Sequence, residues 1–267
     1  MTATMAGTTA AMQADAITVQ FGGLVAVDKV SFTIPDQGIV SLIGPNGAGK
    51  TTFFNALTGL YKVASGTVML GDRNITGLPP SKIASLGVAR TFQNIRLFGL
   101  MTAEENVKVA MHAHLKAGIF RTILRTPGQR REERAAHEEA LELLDFVGIG
   151  KVSDEYARNL SYGDQRRLEV ARALALRPRV LLLDEPTAGM NPRESAIFVE
   201  FVHRVRDEKK VSVLLIEHDM SVVMRVSERI TVLDRGTKIA EGSADDIKSD
   251  QRVIEAYLGK PREEEAR

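Results

Sequence analysis

Short apolar runs rich in β-branched residues alternate with longer segments of helical composition from Ile17 onward. Several of these runs are continuous, as expected of strands that are buried on both faces of a sheet. The predicted strands are Ile17–Val19, Ser31–Ile34, Gly38–Ile43, Thr67–Leu70, Val180–Asp184, Val211–Glu217 and Ile230–Asp234. The helices predicted between them are Gly49–Leu57, Pro192–Val205 and Met220–Val226. This alternation predicts an α/β fold with a mainly parallel sheet.

The strand signal stops between about residues 101 and 177. Three consecutive helices are predicted there, over Ala103–Lys116, Arg131–Phe146 and Gly163–Leu176. We therefore expect a helical lobe inserted into an α/β core. The predicted organisation is one domain over 15–260, with its core in 15–100 and 178–250, the lobe in 101–177 and a C-terminal helix at 251–259.

The two ends of the chain are predicted to lie outside this domain. Residues 1–14 contain no Lys or Arg and no apolar stretch of signal-peptide type, so we interpret them as a disordered leader. Residues 261–267 are interpreted as a short tail.

Composition excludes several kinds of protein. The 267 residues are 44% hydrophobic and 26% charged, which is typical of a globular chain. Lys and Arg number 35 against 34 Asp and Glu, and this balance argues against a nucleic-acid partner. The Arg-rich stretch 121–134 is interspersed with Glu and is expected to be a solvated helical face. The absence of cysteine excludes disulfides, thiolate metal sites and cysteine nucleophiles.

A glycine-rich segment separates the predicted strand Gly38–Ile43 from the helix after it. Residues 44–51 read Gly-Pro-Asn-Gly-Ala-Gly-Lys-Thr and match the G-x-x-x-x-G-K-[ST] phosphate loop. Such a loop points backbone N–H groups at phosphate oxygens, and the helix N-terminus adds positive charge. Lys50 is expected to reach the β- and γ-phosphates, and the Thr51 hydroxyl to bind Mg²⁺. The predicted nucleotide contacts are Gly44, Pro45, Asn46, Gly47, Ala48, Gly49, Lys50, Thr51 and Thr52.

The apolar strand Val180–Asp184 leads into two adjacent carboxylates, Asp184 and Glu185. Unpaired buried charge is costly, so these groups are expected to have partners. Beside a phosphate loop, Asp184 is placed to hold Mg²⁺ through water, and Glu185 to act as the general base on the attacking water. Without the loop, the pair would fit acidic residues at a strand end equally well.

Residues 160–165, Leu-Ser-Tyr-Gly-Asp-Gln, and the Arg-Arg-Leu-Glu-Val-Ala-Arg run after them resemble the signature segment of ABC-transporter ATPases. Phe92-Gln93 resembles the Q-loop of that family, Asp184-Glu185 its Walker B motif, and Ile216–Asp219 its switch region. The resemblance covers roughly residues 16–260. It implies ATP hydrolysis with ATP and Mg²⁺ as ligands. It also implies a P-loop NTPase fold: a RecA-like core, an antiparallel β portion and an inserted helical lobe.

The resemblance also implies roles for individual residues. Phe21 would stack on adenine, although a core phenylalanine is the alternative interpretation. Gln93 would contact Mg²⁺ or the attacking water, and His218 would hydrogen-bond the γ-phosphate. Ser161 and Gly163 would contact ATP held by an opposite subunit. Two ATPase chains would therefore act as a head-to-tail dimer, formed by two copies or by this chain and a paralogue.

Two segments depart from the commoner family pattern. The signature usually reads Leu-Ser-Gly-Gly-Gln, whereas Tyr162 and Asp164 occupy its third and fifth places here. The segment after Walker B is usually Ser-Ala-Leu-Asp, and here it ends in Asn191. This second departure leaves communication across the dimer open.

Further segments indicate a branch of the family. The run Arg90–Phe98, the long insertion after Val107, the segment Pro186–Pro192 and the tail Val253–Gly259 together resemble the ATPases of LIV-I-type branched-chain amino-acid importers. Such an ATPase would bind transmembrane permease subunits and depend indirectly on a periplasmic solute-binding protein. It would lie at the cytoplasmic face of the bacterial inner membrane.

A permease helix would be seated near Gln93–Phe98, with Leu97, Phe98 and Leu100 as apolar contacts; packing inside the helical lobe is the other interpretation of these side chains. Transport of urea or another polar solute, and lipopolysaccharide export, stay open as alternatives. A DNA- or ribosome-associated ABC ATPase is a different class, and such proteins usually carry coiled coils or two fused cassettes.

Overall fold

The computed structural model describes residues 10–111 and 127–258. Its strands are β1 (Ala10–Phe21), β2 (Leu24–Pro35), β3 (Ile39–Ile43), β4 (Ser65–Leu70), β5 (Arg73–Asn74), β6 (Val88–Arg90), β7 (Val180–Asp184), β8 (Ser212–Ile216), β9 (Arg229–Asp234) and β10 (Thr237–Gly242). Its helices are α1 (Lys50–Leu57), α2 (Pro80–Ser85), α3 (Ala103–Met111), α4 (Pro127–Phe146), α5 (Tyr162–Ala175), α6 (Pro192–Lys209), α7 (Met220–Val226), α8 (Ala244–Ser249) and α9 (Gln251–Leu258). In these ranges, no helix is both long and apolar enough to cross a lipid bilayer.

The chain divides into two compact units. The first runs to Ile83 and resumes at Thr187, and the second, Ala84–Pro186, is inserted between these segments. The helical lobe predicted over 101–177 lies inside the second unit, which also contains β6 and β7.

The first unit contains an antiparallel sheet in the order β2-β1-β4-β5. The hairpin of β1 and β2 turns at Gly22-Gly23, where Phe21 pairs with Leu24. Met12, Ala14, Ile17 and Val19 are buried along β1. This sheet is the antiparallel β portion that the resemblance implies.

The strands that lead to the phosphate loop are parallel. In the first unit, β3 pairs in parallel with β8 and with β9, and β10 pairs antiparallel with β9. Every residue of β3 and β8 is buried, which explains their continuous apolar sequence. Ile43, the last residue of β3, packs in a cluster with residues of α7, β9, β10, α8 and α9. This packing fixes the point at which the chain leaves the sheet for Gly44.

The second unit combines a short parallel strand pair with helices. β6 pairs with β7 in register from Val88 with Val180 to Arg90 with Leu182. Helix α3 packs against α4 and α5. Asn106 of α3 is fully buried, accepts a hydrogen bond from the Phe98 N–H and donates to the Phe98 carbonyl. A buried amide that satisfies loop backbone groups in this way holds the loop after β6 on the helices.

Most predicted elements are confirmed, with shifts at their ends. Helix α3 agrees with the prediction over Ala103–Met111, and residues 112–116 lie outside the described residues. Strands β5, β6 and β10 and helices α2 and α8 were not predicted. β6 has only three residues, and β10 has only one buried residue, so neither has a strong apolar pattern.

The predicted leader is wrong for residues 10–14. These residues form the start of β1, pair with both β2 and β4, and bury Ala11, Met12 and Ala14. Their small side chains give only a weak strand signal in the sequence. In the folded chain they form a strand because β2 and β4 pair with them. Residues 1–9, the tail 261–267 and residues Arg121 and Arg125 lie outside the described residues.

Asn191 is the N-cap residue of α6, and it forms a capping box with Glu194. Its Oδ1 accepts from the N–H groups of Arg193 and Glu194 at 3.0 Å each, and the Glu194 carboxylate accepts from the Asn191 N–H at 2.9 Å. Pro192 occupies the first helical turn, where no backbone donor is needed. An acceptor oxygen at position 191 therefore has a local structural role, whatever its part in a dimer.

We expect Asn191→Ala to lower the free energy of unfolding by about 1 kcal/mol, because two helix N–H groups lose their acceptor. Urea denaturation of the full chain measures this change. Asn191→Asp keeps the acceptor and should retain most of the stability. Equal midpoints for Asn191→Ala and the wild type would contradict the capping role.

Candidate functional site

The phosphate loop is held by close backbone contacts that require glycine. Gly44 has φ 150°, and a Cβ there would lie 2.1 Å from the Leu233 carbonyl oxygen. Gly49 has φ 96°, and its Cβ would lie 2.7 Å from the Ala26 carbonyl oxygen. A larger residue at either position would push the loop away from its neighbours. These glycines therefore shape the loop between β3 and α1.

Lys50 begins α1 and folds back over the loop. Its Nζ donates to the carbonyl oxygens of Gly44 at 2.7 Å and Pro45 at 3.0 Å. The N-cap residue of α1 is Gly49, which has no side chain that could occupy the positive end of the helix dipole. An ammonium group, glycine backbone and a helix N-terminus fit a polyphosphate. The side chains of Asn46 and Thr51 are exposed at this loop, as contact with a ligand requires.

Phe21 lies at the end of β1 with 46% of its surface exposed. This exposure excludes the core-phenylalanine interpretation and leaves the ring available for stacking. Tyr61, which follows α1, meets the Phe21 ring edge-on at 5.1 Å between centroids. Sequence reasoning missed Tyr61, because its proximity to Phe21 arises from the fold. The exposed aromatic pair is compatible with an adenine-binding role for Phe21.

Glu217 supports the predicted switch residue His218. The Glu217 side chain is buried and accepts from the Thr187 N–H at 2.9 Å, the Thr187 hydroxyl at 2.5 Å and the His218 N–H at 3.1 Å. The His218 side chain is 64% exposed. The buried Glu217 carboxylate thus orders the backbone at Thr187 and at His218, while the His218 imidazole faces outward. An acidic residue at the end of a buried strand was the sequence signal for this role.

In the second unit, the buried Asp184 has the partner that the sequence required. Its Oδ2 accepts from an Arg90 guanidinium nitrogen at 2.9 Å. Burial raises the pKa of Asp184, while the hydrogen bond and charge of Arg90 oppose that rise. Among the predicted Mg²⁺ ligands, Asp184 offers a carboxylate, Gln93 an amide oxygen and Thr51 a hydroxyl. These are oxygen donors of the kind that Mg²⁺ prefers, so the residues fit this ion chemically.

The structure brings together the two residues of this unit predicted to act on the attacking water. Gln93 Nε2 donates to Glu185 Oε2 at 2.9 Å. Glu185 has φ 47°, in the left-handed region that is unfavourable for residues other than glycine. Such backbone strain is concentrated at functional sites. The carboxylate that follows β7 is thus turned toward the loop after β6.

Ser161 caps α5 and is linked to Asp164. Its hydroxyl donates to Asp164 Oδ2 at 2.7 Å and accepts from the Asp164 N–H at 3.2 Å. Gly163 lies exposed in the first turn, with open space where a Cβ would stand. Asp164, which departs from the common signature, takes part in this cap. Contact of Ser161 and Gly163 with an opposite subunit stays a prediction.

The family model described as ABC transporter matches residues 27–188, more than half of the chain. The chain is an ATPase subunit of the ABC transporter family. A second family model, described as branched-chain amino acid ATP-binding cassette transporter, matches residues 237–263 of this ABC ATPase.

The ABC ATPase is similar to curated transport proteins over nearly its whole length. The chain is 48% identical over 241 residues to the high-affinity branched-chain amino acid transport ATP-binding protein LivG of Salmonella typhimurium, and the match covers 90% of this chain and 94% of the relative. It is 47% identical over 248 residues to BraF of Pseudomonas aeruginosa, a protein of the same description, covering 93% and 97%.

Solved structures confirm the predicted fold class. The ADP conformation of an ATP-binding cassette of an ABC transporter superposes with a TM-score of 0.81 at 28% identity, covering 94% of this chain and 99% of that one. A nucleotide-free cassette gives 0.81 at 29% identity, covering 94% and 100%. The P-loop fold with its antiparallel portion and inserted lobe is therefore established for this ABC ATPase.

We expect Gly44→Ala to weaken ATP binding by the full chain at least about tenfold, because its Cβ cannot coexist with the Leu233 carbonyl and the loop must shift. Isothermal titration with MgATP measures the affinity, and circular dichroism checks the fold. Gly99→Ala is the matched control, since its Cβ would meet Arg158 at an ordinary 3.5 Å. Wild-type affinity in Gly44→Ala would show that the close contact does not shape the binding loop.

Proposed function

We propose that this chain is the ATP-hydrolysing subunit that powers a membrane importer of branched-chain amino acids. The observation that carries the proposal is 47–48% identity over nearly the full length of LivG and BraF, both named for high-affinity transport of these solutes. The match of residues 237–263 to a branched-chain amino acid cassette model supports the same solute class.

ATP binding falls to the loop of Gly44, Pro45, Asn46, Gly47, Ala48, Gly49 and Lys50, with Thr51 and Thr52 in the first turn of α1. The backbone cradle and the α1 N-terminus receive phosphate oxygens, and the Lys50 ammonium moves from the loop carbonyls to the β- and γ-phosphates. Thr51, Gln93 and Asp184 would hold Mg²⁺, and Asp184 would do so through water. When bound, this ion offsets negative charge on the phosphates. Phe21 stacks on the adenine.

Hydrolysis depends on Glu185 as the general base. Its carboxylate removes a proton from the attacking water, while the hydrogen bond from Gln93 orients that carboxylate. His218 donates to the γ-phosphate from its exposed position next to Glu217. Charge that develops on the γ-phosphate is then met by donors that the fold has already placed.

Three kinds of partner act with this subunit. Ser161 and Gly163 contact ATP on a second ATPase subunit, a copy or a paralogue, in a head-to-tail dimer. Transmembrane permease subunits dock near Gln93–Phe98, and the exposure of Phe98 at 45% and Leu100 at 74% supports an apolar contact there. A periplasmic solute-binding protein delivers the solute, and the chain acts at the cytoplasmic face of the inner membrane.

A nucleic-acid partner is not part of the proposal. In the described portion of the Arg-rich stretch, the side chains of Arg131 and Arg134 are exposed together with those of Glu132 and Glu133. This mixture of signs suits a solvated helix surface better than a phosphate backbone.

We expect Glu185→Gln to bind MgATP while hydrolysing it about 10²- to 10⁴-fold more slowly, because the amide cannot accept the proton from water. Phosphate release and nucleotide titration of the full chain separate these two effects. Glu200→Gln is the control, since it removes an exposed carboxylate from α6 and should leave hydrolysis unchanged. Normal turnover in Glu185→Gln would overturn the assignment of the base.

The solute is tested by uptake of labelled leucine in cells that lack this chain and other leucine carriers. Complementation with the wild type should restore uptake, whereas Lys50→Ala should not, because the cationic contact to the phosphates is lost. Equal leucine uptake in cells with and without this chain would contradict import of branched-chain amino acids. Urea and other polar solutes would then be assayed in the same strains.

A further inference from the structure

An ion pair is buried on α5 in the second unit, just after the signature segment. Arg166 and Glu169 are 4% and 5% exposed, and their side chains meet at 3.1 Å between Arg166 NH1 and Glu169 Oε2. A buried ion pair is weak evidence for stability, since apolar residues of similar size often stabilise a core equally well. The other groups that hydrogen-bond to Arg166 and Glu169 therefore indicate what the pair does.

Those partners are the backbone of the loop that carries Gln93. Arg166 donates to the carbonyl oxygens of Phe92, at 2.7 Å, and of Gln93. Glu169 Oε1 accepts from the Phe92 N–H at 3.0 Å. One ion pair thus binds both the N–H and the carbonyl of Phe92 and the carbonyl of the next residue.

The loop needs such support because β6 ends at Arg90 and residues 92–99 form no helix or strand. Backbone groups outside regular structure must find other partners when they are buried. The planar guanidinium suits this task, since its separate N–H groups can reach two neighbouring carbonyls at once.

Tyr162 joins the same arrangement. Its hydroxyl accepts from Arg166 at 3.1 Å, and the Arg166 guanidinium lies 5.5 Å from the Tyr162 ring centroid. Tyr162 is one of the two residues that depart from the common signature. The contact gives this departure a structural reason, because glycine at this position has no group that could hold Arg166.

The side chain of Gln93 extends from this held backbone to Glu185, with 2.9 Å between Gln93 Nε2 and Glu185 Oε2. We propose that Arg166 and Glu169 are positioning residues for ATP hydrolysis, which hold the Phe92–Gln93 backbone on α5 so that Gln93 reaches Glu185. This inference rests on the proposed function, in which Glu185 is the general base. It means that any displacement of α5 also moves Gln93.

A double-mutant cycle in the full chain tests the route through Gln93. We expect Arg166→Met and Gln93→Ala each to lower kcat for MgATP about tenfold, and the double variant to be no slower than Gln93→Ala alone, because the two changes remove one shared interaction. KM for MgATP should change little in Arg166→Met, since Arg166 contacts no proposed ligand of the nucleotide and the phosphate loop belongs to the other unit. A purely structural role for Arg166 would instead multiply the two losses.

Arg167→Met is the matched control. Arg167 is the exposed neighbour on α5 and reaches only the Gly148 carbonyl at 3.4 Å among the hydrogen bonds described for it, so kcat should stay at the wild-type value. Should Arg166→Met not fold, Arg166→Lys and Glu169→Gln enter the same cycle. Lys keeps the charge without the guanidinium plane, and Gln keeps an acceptor for the Phe92 N–H; both should lose part of kcat.

The outcomes separate this inference from the proposed function. Wild-type kcat in Arg166→Met, multiplied losses in the double variant, or a slow Arg166→Met beside an unaffected Gln93→Ala would overturn the positioning role. Absence of MgATP hydrolysis in the wild-type chain, or normal turnover in Glu185→Gln, would instead overturn the proposed function on which the inference rests.

Discussion

The site depends on the close approach of two backbone segments at Gly44. The loop passes so near the Leu233 carbonyl that a Cβ would stand 2.1 Å from it. This contact is possible because β3 and β9 pair in parallel up to Ile43, which packs in one cluster with Ile230 and Val232 of β9. The loop then turns at Gly49, and α1 begins with Lys50 already over the loop. Binding of a polyphosphate therefore follows from how tightly two strands end beside each other.

Buried carboxylates order the segments that carry the other proposed catalytic residues. Three of them lie next to segments without regular structure. Each accepts hydrogen bonds from backbone N–H groups or from an arginine. Because a buried carboxylate must be satisfied, the surrounding backbone has little freedom to move away. The three are Asp184 with Arg90, Glu169 with Arg166 and Phe92, and Glu217 with Thr187 and His218. The same electrostatic requirement thus holds the residues around the proposed base and the switch histidine.

Sequence reasoning found the elements whose signal is local. Strand β7 and helix α7 have the predicted bounds, because continuous apolar runs and helical composition identify such elements without reference to the rest of the chain. Elements that depend on neighbours were missed: β6 has three residues, and the start of β1 is rich in alanine and becomes a strand only because β2 and β4 pair with it. Propensity alone is too weak at such positions.

The sequence by itself determined the phosphate loop, the carboxylates Asp184 and Glu185, the order of the family motifs and hence the class of chemistry, because each depends on residue types at fixed spacing. Only the tertiary structure decided which groups support them. Arg90, Tyr61 and the pair Arg166–Glu169 reach their partners across 40 to 94 positions of sequence. Hydrogen bonds and ring contacts act over a few ångströms in space, and the distance in space between residues far apart in sequence is set by the folded chain.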